Sequence, residues 1–228
     1  MIKLIVFDLW NTLVPTSIDW PHLVYITKKQ HMSLAELIPK YESTIQKKRI
    51  NSFEELRKTF FAAFDQVDNL LLEQELYEIY VNRLDKIYFF PDIEENLTKL
   101  RNQGYKLALL SNTENIAFDK VKEKIPIVKY FDFLCLSCDV GSIKPEKTIF
   151  EVVLKNFGVS PYEALMVGDS LRSDVAGAQN VGMHACWLNR PKKSYDLAKV
   201  KPEFEINTLN DIYKVLGVLN AKFKRTNG

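Results

Sequence analysis

Short apolar runs recur along this chain, and stretches with helical spacing separate them. Five of the runs are near-continuous in apolar residues instead of alternating apolar with polar. They are Ile2–Phe7, Tyr105–Leu110, Phe133–Leu136, Ala164–Val167 and His184–Leu188, and Glu203–Ile206 is a weaker sixth. Continuous runs are typical of strands that are covered on both faces. The alternation of strand-like runs with helix-like stretches therefore predicts an α/β fold with a Rossmann-like parallel sheet and right-handed crossovers.

The region of residues 15–88 breaks this alternation, because it carries helical signals throughout. Its apolar residues form two stripes at helical spacing: Phe53, Leu56, Phe60, Phe61, Phe64 and Val67, then Leu72, Leu76, Ile79, Tyr80, Leu84 and Ile87. Capping-box pairs mark three predicted helix starts, two inside this region and one after it: Ser33 with Glu36, Ser52 with Glu55, and Asp92 with Glu95. Such pairs satisfy backbone donors at a helix N-terminus.

We therefore predict a helical-bundle cap domain of about four helices at residues 15–88. It is inserted into a core made of residues 1–14 and 89–228. Both ends of the insert must lie close together near one strand tip, so we expect it to hinge over the strand ends. The basic residues near the terminus predict a frayed tail at 220–228.

Composition excludes several classes of partner. The net charge is +2, from 31 Lys and Arg against 29 Asp and Glu, which gives no argument for a nucleic-acid partner. No apolar run approaches the ~18 residues that span a bilayer, and we expect a cytoplasmic protein. Three cysteines do not form a disulfide framework. Cys135 and Cys138 lie in a run with strand character, which places them on opposite faces, and we expect buried thiols.

Polar side chains follow four of the predicted strands. They are Asp8 and Thr12 after the first, Ser111 and Asn112 after the second, Lys144 after the third, and Asp169, Ser170 and Asp174 after the fourth. Ligands bind beyond the carboxyl ends of the strands in open parallel sheets. The hydroxyls, the amide and the ammonium suit a phosphoryl group, with Thr12, Ser111, Asn112 and Lys144 as candidate contacts. Mg²⁺ between the carboxylates would balance their charge.

At these positions the sequence resembles the haloacid dehalogenase-like hydrolases. Four motifs match in order: Phe7-Asp8-Leu9-Trp10-Asn11-Thr12-Leu13, Leu110-Ser111-Asn112-Thr113, Ile143-Lys144-Pro145, and Val167-Gly168-Asp169-Ser170 through Asp174. The resemblance spans nearly the whole chain, including the helical cap after the first strand. The motifs are specific for the superfamily and weakly specific for a substrate.

The resemblance implies a phosphatase mechanism on a small phosphorylated metabolite. Asp8 would attack phosphorus and form an aspartyl-phosphate. Ser111 would hold a phosphoryl oxygen, and Lys144 would neutralise the nucleophile and the phosphoryl charge. The implied Mg²⁺ ligands are Asp8, the backbone carbonyl of Trp10, Asp169 and Asp174, the last either directly or through water. The oligomeric state stays open.

Trp10 departs from the family pattern. Family phosphatases usually have an aspartate there that protonates the leaving group, and an indole N–H is only a hydrogen-bond donor. Losing a general acid typically costs about 10²–10⁴-fold in rate. Two interpretations are open for a phosphatase: substrates with good leaving groups, or a proton donor from the cap. His22 and His31 are candidates for that donor.

Two other functions are also open. Dehalogenases of the family resemble this chain in having an aromatic residue at the position of Trp10. They differ in having a Ser-x-Asn pattern where this chain has Asp169, a tyrosine where it has Phe150, and an early cap arginine, whereas the first arginine here is Arg49. These departures favour phosphoryl chemistry. The second alternative is a non-catalytic relative that binds a phosphometabolite or a protein, with Trp10 stacking on the ligand or filling the pocket.

Overall fold

The central feature of the computed structural model is a wholly parallel six-stranded sheet; the structure describes residues 1–15, 33–63, 84, 87–192, 194 and 200–226. The strands are β1 (Leu4–Phe7), β2 (Lys106–Ser111), β3 (Phe133–Leu136), β4 (Ala164–Gly168), β5 (His184–Leu188) and β6 (Phe204–Ile206). Their order in the sheet is β3-β2-β1-β4-β5-β6, and every pairing is parallel. The predicted α/β fold with a Rossmann-like sheet is confirmed.

The described residues also form eight α-helices. They are α1 (Leu34–Ile45), α2 (Phe53–Ala63), α3 (Ile93–Asn102), α4 (Asn115–Lys124), α5 (Ser137–Val140), α6 (Lys147–Phe157), α7 (Gly177–Asn180) and α8 (Ile212–Thr226). Strand β1 shows why the apolar runs are continuous. Ile5 and Phe7 pack into the core on one face, and Leu4 and Val6 pack into the core on the other. All four side chains are fully buried, because strand side chains point alternately to the two faces.

Two of the three predicted capping boxes differ from expectation in detail. The Ser33 and Glu36 box is present, with side chain and backbone bonded in both directions. Ser52 accepts from the backbone N–H of Glu55, but the Glu55 carboxylate accepts from the backbone N–H of Asn51 instead of Ser52. The predicted Ser52 box is therefore only half formed.

The predicted box at Asp92 and Glu95 is wrong. Asp92 stands at the N-cap of α3 without a side-chain bond to the helix. Its carboxylate instead accepts from the Arg190 guanidinium at 3.0 Å, the Thr208 hydroxyl at 2.7 Å and the backbone N–H of Leu209 at 2.7 Å. A charged guanidinium is a stronger partner for a carboxylate than a backbone N–H that water can also satisfy.

Arg190 extends this contact to the loop after β1. Its guanidinium donates to the backbone carbonyl of Thr12 at 3.0 Å and lies 4.1 Å from the centre of the Phe90 ring. One side chain thus joins the loop after β1, the segment before α3 and the segment after β5. We name Asp92 and Arg190 together the Asp92–Arg190 clamp.

Buried polar groups join helix α1 to the loop after β2. The Tyr41 hydroxyl donates to Glu114 at 3.3 Å, and the Gln46 amide donates to the same carboxylate at 3.2 Å. Asn115 accepts from the backbone N–H of Ile50 and donates to the carbonyl of that residue. The C-terminal half of α1 is therefore held by directional bonds to the loop after β2.

Several predictions concern residues that the structure does not describe. His22, His31, Phe64, Val67 and most of the second apolar stripe lie outside the described residues. The division into a core of residues 1–14 and 89–228 and a cap of residues 15–88, and the hinge between them, stay predictions. Residues 220–226, part of the predicted frayed tail, continue α8, and Asn220 accepts from the backbone N–H of Ile2 at 2.9 Å.

The cysteines are buried thiols, as the sequence predicted. Cys135 lies in β3, but Cys138 lies in α5, so the expectation that both share one strand is wrong. The chain turns at Ser137 into a short helix. Burial raises the pKa of Cys135, Cys138 and Cys186 to about 12. No helix within the described ranges is long and apolar enough to cross a membrane.

The Asp92–Arg190 clamp gives a stability prediction. Asp92→Ala should lower the free energy of unfolding by about 2 kcal/mol, because three donors lose a charged acceptor. Urea denaturation measures the change. Glu95→Ala, on the exposed side of the same helix, should leave stability nearly unchanged.

The effect should depend on pH. Burial alone would raise the pKa of Asp92, but Arg190, Thr208 and Leu209 outweigh it and hold the pKa below its ordinary value. A depressed carboxyl pKa stabilises the folded state above the unfolded pKa of about 4, and this is lost as pH falls through the folded pKa. The free energies of unfolding of Asp92→Ala and Glu95→Ala should therefore converge in acid. A difference between them that persists there would contradict the charged contact of Asp92 with Arg190.

Candidate functional site

The loop after β1 places Asp8 at a strand end. The backbone N–H of Asp8 still donates to the carbonyl of Val167 at 3.0 Å, so the carboxylate begins where the pairing of β1 with β4 stops. The chain then closes a tight turn, in which Leu13 donates to the carbonyl of Leu9 at 2.9 Å. Asn11 adopts φ 60° within this turn, a left-handed conformation that asparagine tolerates better than most residues.

Lys144 is the cation of the site. Its ammonium lies 2.6 Å from Asp8 Oδ1 and 2.6 Å from Asp174 Oδ1, and only 2% of its side chain is exposed. Asn112 fixes its main chain, since the amide Nδ2 donates to the Lys144 carbonyl at 3.0 Å and Oδ1 accepts from the Lys144 N–H at 2.8 Å. Thr12 Oγ1 donates to Asp8 Oδ2 at 3.0 Å. Both oxygens of Asp8 are thus held.

Three carboxylates converge at this edge of the sheet. One oxygen each from Asp8, Asp169 and Asp174 lies within 4.8 Å of the other two. Asp174 stands in a π-helical turn at Leu171–Ala176, and its Oδ2 accepts from the backbone N–H of Ser170 at 3.0 Å. We name these three residues the carboxylate cluster.

Gly168 makes room for this arrangement. A Cβ at that position would lie 2.2 Å from Asp174 Oδ2 and 2.6 Å from Asp174 Cβ. No side chain fits at that distance, so a glycine immediately before Asp169 lets Asp174 approach the strand end.

The electrostatics leave the cluster short of positive charge. The pKa of Asp8 is raised to about 6, because burial and the nearby Asp174 raise it by more than Lys144 lowers it. Burial would lower the pKa of Lys144, but Asp174 and Asp8 outweigh it and the pKa is raised. Lys144 is therefore an ammonium at neutral pH. One ammonium among three carboxylates favours an additional cation, and an all-oxygen donor set is the kind that Mg²⁺ prefers.

These residues open into a pocket of about 240 Å³. It is lined by Asp8, Trp10, Asn11, Ile38, Glu42, Asn112, Lys144, Asp169, Ser170, Arg172, Ser173 and Asp174. Two predicted site residues, Thr12 and Ser111, are fully buried and are not part of this lining. The Ser111 hydroxyl has no hydrogen-bond partner within the described part of the chain.

Trp10 lines the pocket beside Asp8. Its indole Nε1 donates to Thr113 Oγ1 at 3.3 Å, and the ring is partly buried against the core. The structure thus brings Asp8, Trp10, Asn112, Lys144, Asp169 and Asp174 to one pocket, with Thr12 bonded to Asp8 behind it. Ser111 is buried at the end of β2 outside this lining, and the candidate donors His22 and His31 lie outside the described residues. Sequence reasoning missed Ile38 and Glu42 on α1 and Arg172 in the π-helical turn. Arg172 lies between Ser170 and Asp174 in the fourth motif, and this position is a signal that could have identified it. Nothing in the local sequence distinguishes Glu42 from the other charged residues of α1.

The family follows from these observations and from comparison with known proteins. The family model for haloacid dehalogenase-like hydrolases matches residues 2–182. The chain therefore belongs to the haloacid dehalogenase-like hydrolases, as the sequence motifs indicated, and it is a hydrolase.

Two similar relatives are named as phosphatases. The chain is similar to a glyceraldehyde 3-phosphate phosphatase of Pyrococcus abyssi, with 27% identity over 236 aligned positions that cover 98% of each protein. It is 32% identical to a phosphoserine phosphatase of Thermus thermophilus over 143 residues, which are 61% of this chain and 56% of that protein.

Similar solved structures include both a phosphatase and a dehalogenase. A phosphatase of the family from Thermococcus onnurineus has a TM-score of 0.64 and 32% identity, covering 95% of this chain and 98% of that one. A 2-haloacid dehalogenase from Pseudomonas syringae has a TM-score of 0.66 and 26% identity, covering 95% and 99%. The fold is therefore shared by phosphatases and dehalogenases.

Lys144 gives the second stability prediction. Lys144→Met should lower the free energy of unfolding by about 3–5 kcal/mol at neutral pH, because it leaves two buried carboxylates without their cation. The loss should be smaller near about pH 5, where the Asp8 carboxyl group, whose pKa is raised to about 6, takes up a proton and the repulsion falls. Chemical denaturation at both pH values measures this. Lys147→Met, the same change at an exposed lysine of α6, serves as the control, and an equal loss in both variants would contradict the role of Lys144.

Proposed function

We propose that the chain is a Mg²⁺-dependent phosphatase that acts on a small phosphorylated metabolite through an aspartyl-phosphate on Asp8. The observation that carries this proposal is the buried Lys144 ammonium held between Asp8 and Asp174. An ammonium in that position reduces the electrostatic repulsion between an attacking carboxylate and an anionic substrate. Relatives named as phosphatases across nearly the whole chain support the same function.

The side chains around Asp8 suit each part of the first step. One carboxylate oxygen of Asp8 attacks phosphorus, and the bond from phosphorus to the leaving oxygen breaks. Lys144 offsets the negative charge that builds on the phosphoryl oxygens. The buried Ser111 hydroxyl has no hydrogen-bond partner among the described residues. It could therefore donate a hydrogen bond to a phosphoryl oxygen. Thr12 and Asn112 contribute by fixing Asp8 and Lys144.

The donor set fits a magnesium ion. Asp8, Asp169 and Asp174 would hold it, together with the backbone carbonyl of Trp10. When bound, Mg²⁺ supplies the positive charge that lets one anion approach another. Lys144 and Arg172 together cannot offset three carboxylates and a phosphoryl group, so we expect activity to require the ion.

The dehalogenase alternative is weaker on two counts. Halide displacement by a carboxylate gives no task to Asp169 or to the carboxylate cluster. Phe150, which stands where dehalogenases have a tyrosine, is fully buried and packs beneath Gly177, away from the pocket lining. Trp10 and the likeness to a solved dehalogenase favour it.

The first test is release of p-nitrophenol from p-nitrophenyl phosphate. Wild-type protein should turn over with Mg²⁺ and stop when a chelator removes the ion. Asp8→Asn should lose on the order of 10⁴-fold or more in kcat, because the amide is not a nucleophile. Asp119→Asn, the same substitution at a partly exposed residue of α4 that pairs with Lys122, should keep wild-type activity.

The other outcomes separate the alternatives. A folded protein without turnover would contradict the phosphatase proposal. Chloride release from 2-chloropropionate would then identify a dehalogenase. Saturable quenching of Trp fluorescence by phosphate analogues, without turnover of either substrate, would identify a binding protein.

A further inference from the structure

An alkoxide is a poor leaving group, so hydrolysis of an alkyl phosphate needs a proton donor next to the leaving oxygen. Trp10 stands beside Asp8 in the pocket, but its indole can donate only a hydrogen bond and directs it to Thr113. A phosphatase of alkyl metabolites must therefore take its acid from another part of the pocket.

The pocket lining contains four acidic side chains: Asp8, Glu42, Asp169 and Asp174. Three of them form the carboxylate cluster. Lys144 is bound between two members of the cluster and stays an ammonium, and Arg172 does not release a proton at neutral pH. Histidine is not part of the lining that the described residues form. Glu42 is the remaining group with the chemistry of an acid and a base.

Glu42 is held on a fixed element. It lies on α1, whose following turn is anchored to Glu114 through Gln46 and whose helix is anchored there through Tyr41. Glu42 Oε1 accepts from Asn112 Nδ2 at 3.3 Å. The same amide nitrogen donates to the carbonyl of Lys144. Asn112 therefore links the position of Glu42 to that of the lysine that contacts Asp8.

The surroundings of Glu42 suit proton transfer. Burial raises the pKa of its carboxyl group, and Asp174 raises it as well. Asn112, Lys144 and Arg172 act in the opposite direction without cancelling the increase. A glutamate with a raised pKa holds a proton closer to neutral pH than an exposed one does, which is what a general acid requires.

We propose that Glu42 is the general acid and base of this enzyme, a role that rests on the phosphatase function proposed above. In the first step the Asp8 oxygen bonds to phosphorus, and the leaving oxygen takes the electron pair of the broken bond and the proton of Glu42. The product is an alcohol. In the second step the Glu42 carboxylate accepts a proton from water as the water oxygen bonds to phosphorus. The Asp8–phosphorus bond then breaks and releases inorganic phosphate.

Glu42→Gln tests this role, because the amide keeps the size of the side chain and can still accept from Asn112. On glycerol phosphate, kcat/KM should fall by about 10²–10⁴-fold, since the alkoxide departs without a proton. On p-nitrophenyl phosphate, kcat/KM should stay within about threefold of wild type, because nitrophenolate needs no acid.

The second step gives an independent signature. Without a base the aspartyl-phosphate accumulates, so Glu42→Gln should release about one p-nitrophenolate per enzyme in a burst, followed by slow turnover. Ser43→Ala, the next residue on α1, is the control; its hydroxyl donates to the Lys40 carbonyl and is exposed. It should behave as wild type on both substrates.

Two results would overturn the proposal. Glu42→Gln that keeps its kcat/KM on glycerol phosphate would exclude Glu42 as the acid. An equal loss on both substrates, with raised KM and no burst, would show a purely structural role. Wild-type protein without Mg²⁺-dependent release of p-nitrophenol would instead mean that the phosphatase function itself fails, and this inference with it.

Discussion

The site depends on one ion pair network, in which the Lys144 ammonium lies 2.6 Å from both Asp8 and Asp174. Buried carboxylates repel each other, and each costs several kcal/mol to remove from water unless a cation is near. The partners follow β1, β3 and β4, and they meet because the parallel order β3-β2-β1-β4 brings the carboxyl ends of these strands to one edge of the sheet. Gly168 permits the close approach of Asp174, and Asn112 fixes the main chain of Lys144. The parallel sheet thus holds the buried carboxylates next to the Lys144 ammonium, which offsets the cost of removing them from water.

Helix α1 adds further side chains to the pocket at the strand ends. Helix α1 carries Ile38 and Glu42 to the pocket, and the Glu114 carboxylate receives hydrogen bonds from Tyr41 and Gln46 of the same segment. The core supplies a nucleophile, a cation and a metal-binding donor set, which are common needs of phosphoryl transfer. Under the proposed mechanism these residues of α1 would meet the part of the substrate that leaves. Chemistry at the strand ends and selectivity at α1 could then vary separately, which would explain how one fold serves relatives with different substrate names.

The sequence predicted the sheet because buried parallel strands leave a simple mark, a continuous apolar run, and it predicted the site because each motif follows such a run. It failed where a distant partner competes with a local one. Asp92 bonds to Arg190, 98 residues away, and no local pattern shows that this contact replaces the capping box with Glu95. Glu42 was missed for the same reason, since its importance comes only from the loops that meet α1 in the folded chain.

The central claim is that Asp8 forms a covalent bond to phosphorus. The most direct measurement is mass spectrometry of the acid-quenched enzyme during turnover of p-nitrophenyl phosphate with Mg²⁺, followed by digestion. We expect one phosphoryl group on the peptide that contains Asp8, labile to hydroxylamine as an acyl phosphate is, and absent from Asp8→Asn. The same measurement on Glu42→Gln, in which hydrolysis of the intermediate should be slow, gives the contrary test. Steady turnover with every quenched peptide unphosphorylated would mean that water attacks the substrate directly, and it would contradict the account.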